Sequence, residues 1–189
     1  MTATCNEKET LLVEEVLQRI AADLSMITDR ELVVGQSRVN RCSERPAGED
    51  QVHISFRIAF EQGDQLRHGC VLMPLPDAIS LACYLMMVPD ENIEDRRALE
   101  DLDETTKDAL LEVGNFIGGA ADAALREAVG VRARVRSEGC QGVRASVRPA
   151  MIYNEGDPLV VGRAKATVHD FPEFELLMML PELDGVTDL

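Results

Sequence analysis

A carboxylate and an amide stand one helical turn apart at Glu112 and Asn115, within Asp108-Ala109-Leu110-Leu111-Glu112-Val113-Gly114-Asn115-Phe116-Ile117-Gly118-Gly119. A carboxylate only accepts hydrogen bonds, whereas an amide both donates and accepts. A helix spacing of i and i+3 makes the two side chains neighbours. At about 100° per residue, Leu110, Val113, Gly114, Ile117, Ala121, Ala124, Leu125 and Ala128 gather on one face of a helix over 105–129. Asp108, Glu112, Asn115 and Gly119 gather on the other. Gly114, Gly118 and Gly119 each weaken an isolated helix by roughly 1 kcal/mol relative to alanine, and asparagine competes for the helix backbone. A segment that breaks local rules this often marks a candidate functional site. Gly119, beside the pair, lets a partner's backbone come close.

Other chemistries find little support. The chain has no Walker loop and no Ser/His/Asp or Cys/His constellation. His53, His68 and His169 are far apart and fall in expected strands, where surface or satisfied histidines are the default. Cys5, Cys42, Cys70, Cys83 and Cys140 are scattered, without a C-x-x-C. They read as reduced packing thiols rather than a zinc site or a disulfide framework. The acidic run 89–104 lacks the central glycine of an EF-hand loop, which argues against calcium. A net charge of −15 argues against nucleic acid as a partner. Arg126, Arg132, Arg134, Arg136, Arg144 and Arg148 are a local exception. Alternation would place Arg132, Arg134 and Arg136 on one strand face. That face is expected to be solvated and paired with acidic neighbours; the sharper alternative is a patch for an acidic partner. No run reaches the roughly 18 apolar residues of a membrane span, and the first nine residues do not resemble a signal peptide. A cytoplasmic protein is expected.

The length of 189 residues fits one domain, with 1–9 and 182–189 expected as loose tails. An amphipathic helix is expected over 10–28, with Leu12, Val13, Val16, Leu17, Ile20, Leu24 and Ile27 as its apolar stripe. Strands are expected over 32–39, 52–59 and 66–74, with Gln62-Gly63-Asp64 as a hairpin turn. Pro76-Asp77 opens an almost wholly apolar helix to about Val88, core or interface, whose Met86-Met87 pair reads as core filling. Thr105 with Asp108 three residues on resembles a capping box. Asp108 therefore serves either the helix start, the favoured reading, or the outward face. Strands are expected over 131–137, 142–148, 159–168 and 174–180. The halves rhyme: a long helix, strands, a Gly-Asp turn, and a last apolar strand closing on proline, Cys70-Val71-Leu72-Met73-Pro74 against Leu177-Met178-Met179-Leu180-Pro181.

The pattern Asp108-x3-Glu112-x2-Asn115 resembles the signature helix of the CheC/CheX/FliY family, which dephosphorylates chemotaxis response regulators. Leu102-Asp103-Glu104 and the small-residue tail Gly118-Gly119-Ala120-Ala121 are similar to that family too, and the likeness spans about 10–181. It implies an α+β, pseudo-duplicated fold, a mostly antiparallel sheet packed against long helices. It implies a phosphatase acting on a phosphorylated CheY-type receiver domain in chemotaxis or two-component signalling. Asn115 would orient the attacking water, Glu112 would pair with a receiver lysine, and Asp108 and Gly119 would contact the partner. The chain itself would bind no cofactor, because the receiver would supply Mg²⁺. Glu15 and Gln18 match poorly the second motif that some members carry, so the chain resembles single-site CheX more than two-site CheC. The family's proline, some twenty-odd residues after the asparagine, is missing; Arg136-Ser137-Glu138-Gly139 stands in that region. Family dimers join strand edge to strand edge, so a homodimer is expected. The alternative is a non-catalytic adaptor of the same fold that binds a signalling or flagellar-switch partner.

Overall fold

A computed structural model describes residues 4–154 and 156–187. The expected long helix is α1, Glu7–Thr28. Its start is fixed by reciprocal caps: Asn6 Oδ1 accepts from Glu9 N and Glu9 Oε2 from Asn6 N, both at 2.8 Å. The fully buried Glu9 carboxylate also meets Arg41 Nη2 at 2.8 Å. Within the tails expected at 1–9 and 182–189, residues 7–9 open α1 with Glu9 buried, and Leu183, Val186 and Thr187 are buried at the other end; residues 1–3, 188 and 189 lie outside the described ones.

The strands are β1 (Leu32–Val34), β2 (Arg38–Cys42), β3 (His53–Gln62), β4 (Gln65–Pro74), β5 (Arg134–Val143), β6 (Leu159–Val168) and β7 (Phe174–Pro181). They form one sheet in the order β1-β6-β7-β4-β3-β5, and β2 runs beside β1 along β6. Every pairing among the described strands is antiparallel. The two rhyming strands meet at the centre, with Cys70 opposite Met179 and Leu72 opposite Leu177. Each half's opening strands lie beside the other half's closing hairpin, so the duplicated units interlock. The Gly-Asp rhyme is only partial. Gly63-Asp64 closes β3 onto β4 with Gly63 at φ +57, whereas Gly156-Asp157 lies in the connection before β6.

Alternation splits the sheet into two faces. Ile54, Phe56, Ile58, Phe60, Val71 and Met73 face α1, α2 (Leu75–Leu85) and α4 (Glu104–Ala124) in the main core. Cys70, Leu72, Leu159, Val161, Leu177 and Met179 form a smaller cluster on the opposite face, under Met151 and Tyr153. Helix α2 is core, but Met87 is 90% exposed at φ +55 rather than filling it. The acidic connector contains a 3-10 turn, Asp90–Asn92, and a short helix α3, Ile93–Arg97. Ile93 is fully buried, and Arg97 pairs with the buried Asp77 at 3.0 Å. After α4 the chain makes one wide π-helical turn, Leu125–Val129, ended by Gly130 at φ +74.

Candidate functional site

Helix α4 begins at Asp103, not at Thr105. Asp103 Oδ1 accepts from Thr106 N at 2.7 Å, which holds its carboxyl below the ordinary carboxylate range. The capping role expected for Asp108 is thereby corrected. Asp108 lies a full turn inside the helix, exposed, on the same face as Glu112, Asn115 and Gly119, which are also exposed. The opposite side, Leu110, Val113, Ile117, Ala121 and Ala124, is fully buried against the core. The two-faced helix read from periodicity is the observed one, except that Ala128 is only half-buried.

The three glycines divide by role. A Cβ at Gly118 would stand 2.8 Å from Ser137 N, and one at Gly114 would stand 3.1 Å from Ser137 Oγ and 3.4 Å from Phe56. These two let α4 lie directly against the edge strand β5. Gly119 has nothing within 4 Å of its would-be Cβ, so packing gives no reason for it. Asn115 Nδ2 donates to Glu112 Oε2 at 3.3 Å, a long bond that holds the amide and the carboxylate together on the outward ridge.

The region without the family's proline is a bulge. Phe56 pairs with Cys140 and Ile58 with Ser137, so Glu138 and Gly139 together oppose Arg57. Gly139 takes φ +87 there, a conformation that favours glycine. The expected strands 131–137 and 142–148 are one strand, β5, and residues 144–148 turn away from it. Ser137 faces α4, while Glu138 faces the opposite side of the sheet. There its carboxylate sits 2.8 Å from His68 Nε2, without hydrogen-bond alignment, and 3.0 Å from Arg136 Nη2. His68 Nδ1 accepts from Ile152 N at 3.0 Å, and burial pushes the His68 pKa below its ordinary value, against the pull of Glu138. His53 is likewise buried, its Nδ1 2.9 Å from Gln51 O; His169 packs edge-on against Tyr84.

The arginine-rich stretch is mostly self-neutralised. Arg136 pairs with Glu61 and Glu138, Arg134 with Glu61 at 3.8 Å, Arg126 with Asp122 at 2.8 Å, and Arg148 with Glu44. Arg132 precedes β5, so the three-arginine strand face does not form. On α1, Glu15 pairs with Arg19 at 3.4 Å and Gln18 Nε2 donates to Val34 O at 3.1 Å. This second, poorly matched pair is occupied by structural bonds. Among the described residues, no three His, Cys, Asp or Glu side chains are grouped to hold a metal, and no helix is long and apolar enough to cross a membrane. Burial raises the thiol of Cys70 to about 12 and that of Cys5 to about 11.

Two clefts of about 380 and 480 Å³ lie beside His68 and beside Asp77; neither takes in a residue of α4. Glu112 and Asn115 stand exposed on the outer face of α4, which suits contact with a macromolecule better than capture of a small molecule. Sequence reasoning missed Leu111, exposed beside Glu112, and the Gly139 bulge that flanks it. The signal for Leu111 was its place outside the apolar stripe.

No family model matches the sequence, and no curated protein matches it. Solved structures do. FliY from Thermotoga maritima superposes with a TM-score of 0.66 at 15% identity, covering 98% of this chain and 94% of that one. The chemotaxis protein CheX from a Desulfovibrio desulfuricans subspecies gives 0.59 at 19% identity, covering 90% and 99%. The FliM middle domain from H. pylori gives 0.63 at 8% identity, covering 92% and 90%. The chain thus has the α+β fold of the CheC/CheX/FliY proteins, as the resemblance implied, and that fold is shared with a FliM middle domain.

Proposed function

We propose that this chain is a CheX-like phosphatase that hydrolyses the aspartyl phosphate of a CheY-type receiver domain. The observation that carries the reading is the outward pair Glu112 and Asn115 on a helix packed closely against β5, with the open Gly119 beside it. Phosphoryl transfer needs an in-line water and charge compensation more than it needs a nucleophile from this chain. Asn115 orients the water through its amide. Glu112 pairs with a lysine of the receiver and fixes the docked pose, with Asp108 and Gly119 against the partner. The receiver brings Mg²⁺ and its acidic ligands. In the free chain the Asn115 amide rests on Glu112 Oε2 at 3.3 Å. Docking hands that carboxylate to the partner's cation and frees the amide for water, on a helix that fixes its position.

The test is the decay of a phosphorylated receiver with and without the protein. Asn115→Ala should cut the acceleration by about 10²-fold, the scale of losing one preorganised donor. Glu112→Ala should chiefly raise the receiver concentration needed for half-maximal rate. A wild-type rate with Asn115→Ala removes the water-positioning role, and unchanged saturation with Glu112→Ala removes the salt bridge. The likeness to a FliM middle domain supports a second reading, a non-catalytic adaptor of the same fold. Receiver or switch-protein binding without faster phosphate loss would select it.

A further inference from the structure

Leu111 is, among the described residues of α4, the one large apolar side chain that is markedly exposed, at 42%. It precedes Glu112 by one residue and Asn115 by four, so it adjoins Asn115 on the outward face. Its flank abuts the β5 bulge, where a Cβ at Gly139 would stand 3.7 Å from Leu111 Cδ2. The bulge residue is a glycine at φ +87, so no side chain grows over the leucine from that side. The methyl groups remain open, backed by the sheet edge. On the same ridge Asp108 and Glu112 are exposed carboxylates with no cationic partner among the described residues. The nearest lysine, Lys107, is engaged by Glu104 at 2.7 Å. The complement of this patch is therefore an apolar side chain flanked by positive charge.

We propose that Leu111, seated against the Gly139 bulge, forms with Asp108 and Glu112 the docking surface for the receiver, taking an apolar side chain that the receiver carries beside a lysine or arginine. This rests on the phosphatase reading and extends it to the contact that sets affinity. A second copy of the chain is a poorer occupant, because each copy would bring the same uncompensated carboxylates, and like charges in apposition disfavour the contact.

The experiment measures the affinity of the full chain for each CheY-type receiver of the source genome, held in the active state with beryllofluoride, alongside phosphate decay for the same receivers. Leu111→Asp should weaken the wild-type complex at least tenfold. Met26→Asp, an equal change of charge at an exposed residue of α1, should leave affinity within twofold. Wild-type affinity in Leu111→Asp overturns the docking surface and leaves the phosphatase reading standing. A tenfold loss in Leu111→Asp, with a wild-type chain that binds but does not speed decay, supports the docking surface and overturns catalysis. A wild-type chain that binds none of the receivers overturns both. A Leu111→Asp chain that changes only its own sedimentation, with receiver binding intact, assigns the patch to self-association and overturns the proposal.

Discussion

Two adjacent glycines of α4 should respond differently to the same substitution. At Gly119 a Cβ meets nothing within 4 Å. Gly119→Ala should therefore add the full helix preference of alanine, about 1 kcal/mol of stability. At Gly118 the same methyl would stand 2.8 Å from Ser137 N and 3.4 Å from Ser137 Cα and Arg136 C. The nearest atom is backbone of a paired strand and cannot rotate away. Restoring an ordinary contact near 3.4 Å means moving α4 or β5 by about 0.6 Å, an overpacking that costs about 1–3 kcal/mol. Set against the propensity gain of about 1 kcal/mol, Gly118→Ala should be neutral to destabilising by about 2 kcal/mol. The two variants should differ by roughly 1–3 kcal/mol, and by about 2–4 °C in melting temperature per kcal/mol for a domain of this size. Urea and thermal unfolding read the difference directly. If Gly118→Ala stabilises as much as Gly119→Ala, α4 does not press on Ser137, and the positioning of Asn115 by β5 is wrong. Gly119→Ala carries a second signature: a more stable chain whose half-maximal receiver concentration rises, because the methyl occupies the space left for the partner.

Two further perturbations probe the frame around the site. Arg41→Ala removes the cation facing the fully buried Glu9 carboxylate; leaving that charge unpaired should cost about 3 kcal/mol in chemical unfolding, and a loss below about 1 kcal/mol would show the pair to be solvated. His68 has a folded pKa lowered from 6.5 by burial, so the unfolded chain protonates first as pH falls. Its share of stability is whole above about 6.5 and declines below that value until the folded histidine also takes a proton. The groups facing it are Glu138, Arg57 and Arg136 from the sheet and the amide of Ile152. His68→Gln should flatten the fall in stability below pH 6.5; an unchanged slope would assign that fall to other groups.

The two faces of α4 could be read from residue order because helix periodicity is a local property. The buried and open sides of α4 follow directly from a step of about 100°, and β6 ends where its alternation ends. What escaped was decided across the chain. The order of residues reads as two strands, 131–137 and 142–148, yet eight pairs to β3 hold Arg134–Val143 in one, and only the bulge shows why glycine is needed at 139. Asp108 looked like a cap because Thr105 precedes it by three. Asp103, two residues earlier, captures Thr106 N, and helix α4 starts there. Helix α3 spans five residues, too short to show a period, and it is held by Arg97 reaching Asp77, a pairing no local pattern announces. The roles of Gly114 and Gly118 likewise became distinct from that of Gly119 only when β5 was laid beside them.

On the phosphatase reading, the bond from Gln18 to the carbonyl of Val34, with Arg19 drawn to Glu15, leaves one face for a receiver. A duplicated architecture could offer two equivalent faces and grip two receivers, or one receiver with avidity. Here the α1 counterpart is consumed in anchoring its own first strand. Saturation should therefore break at one receiver per chain and follow a simple hyperbola, so that any sigmoidal response in the pathway would have to arise elsewhere.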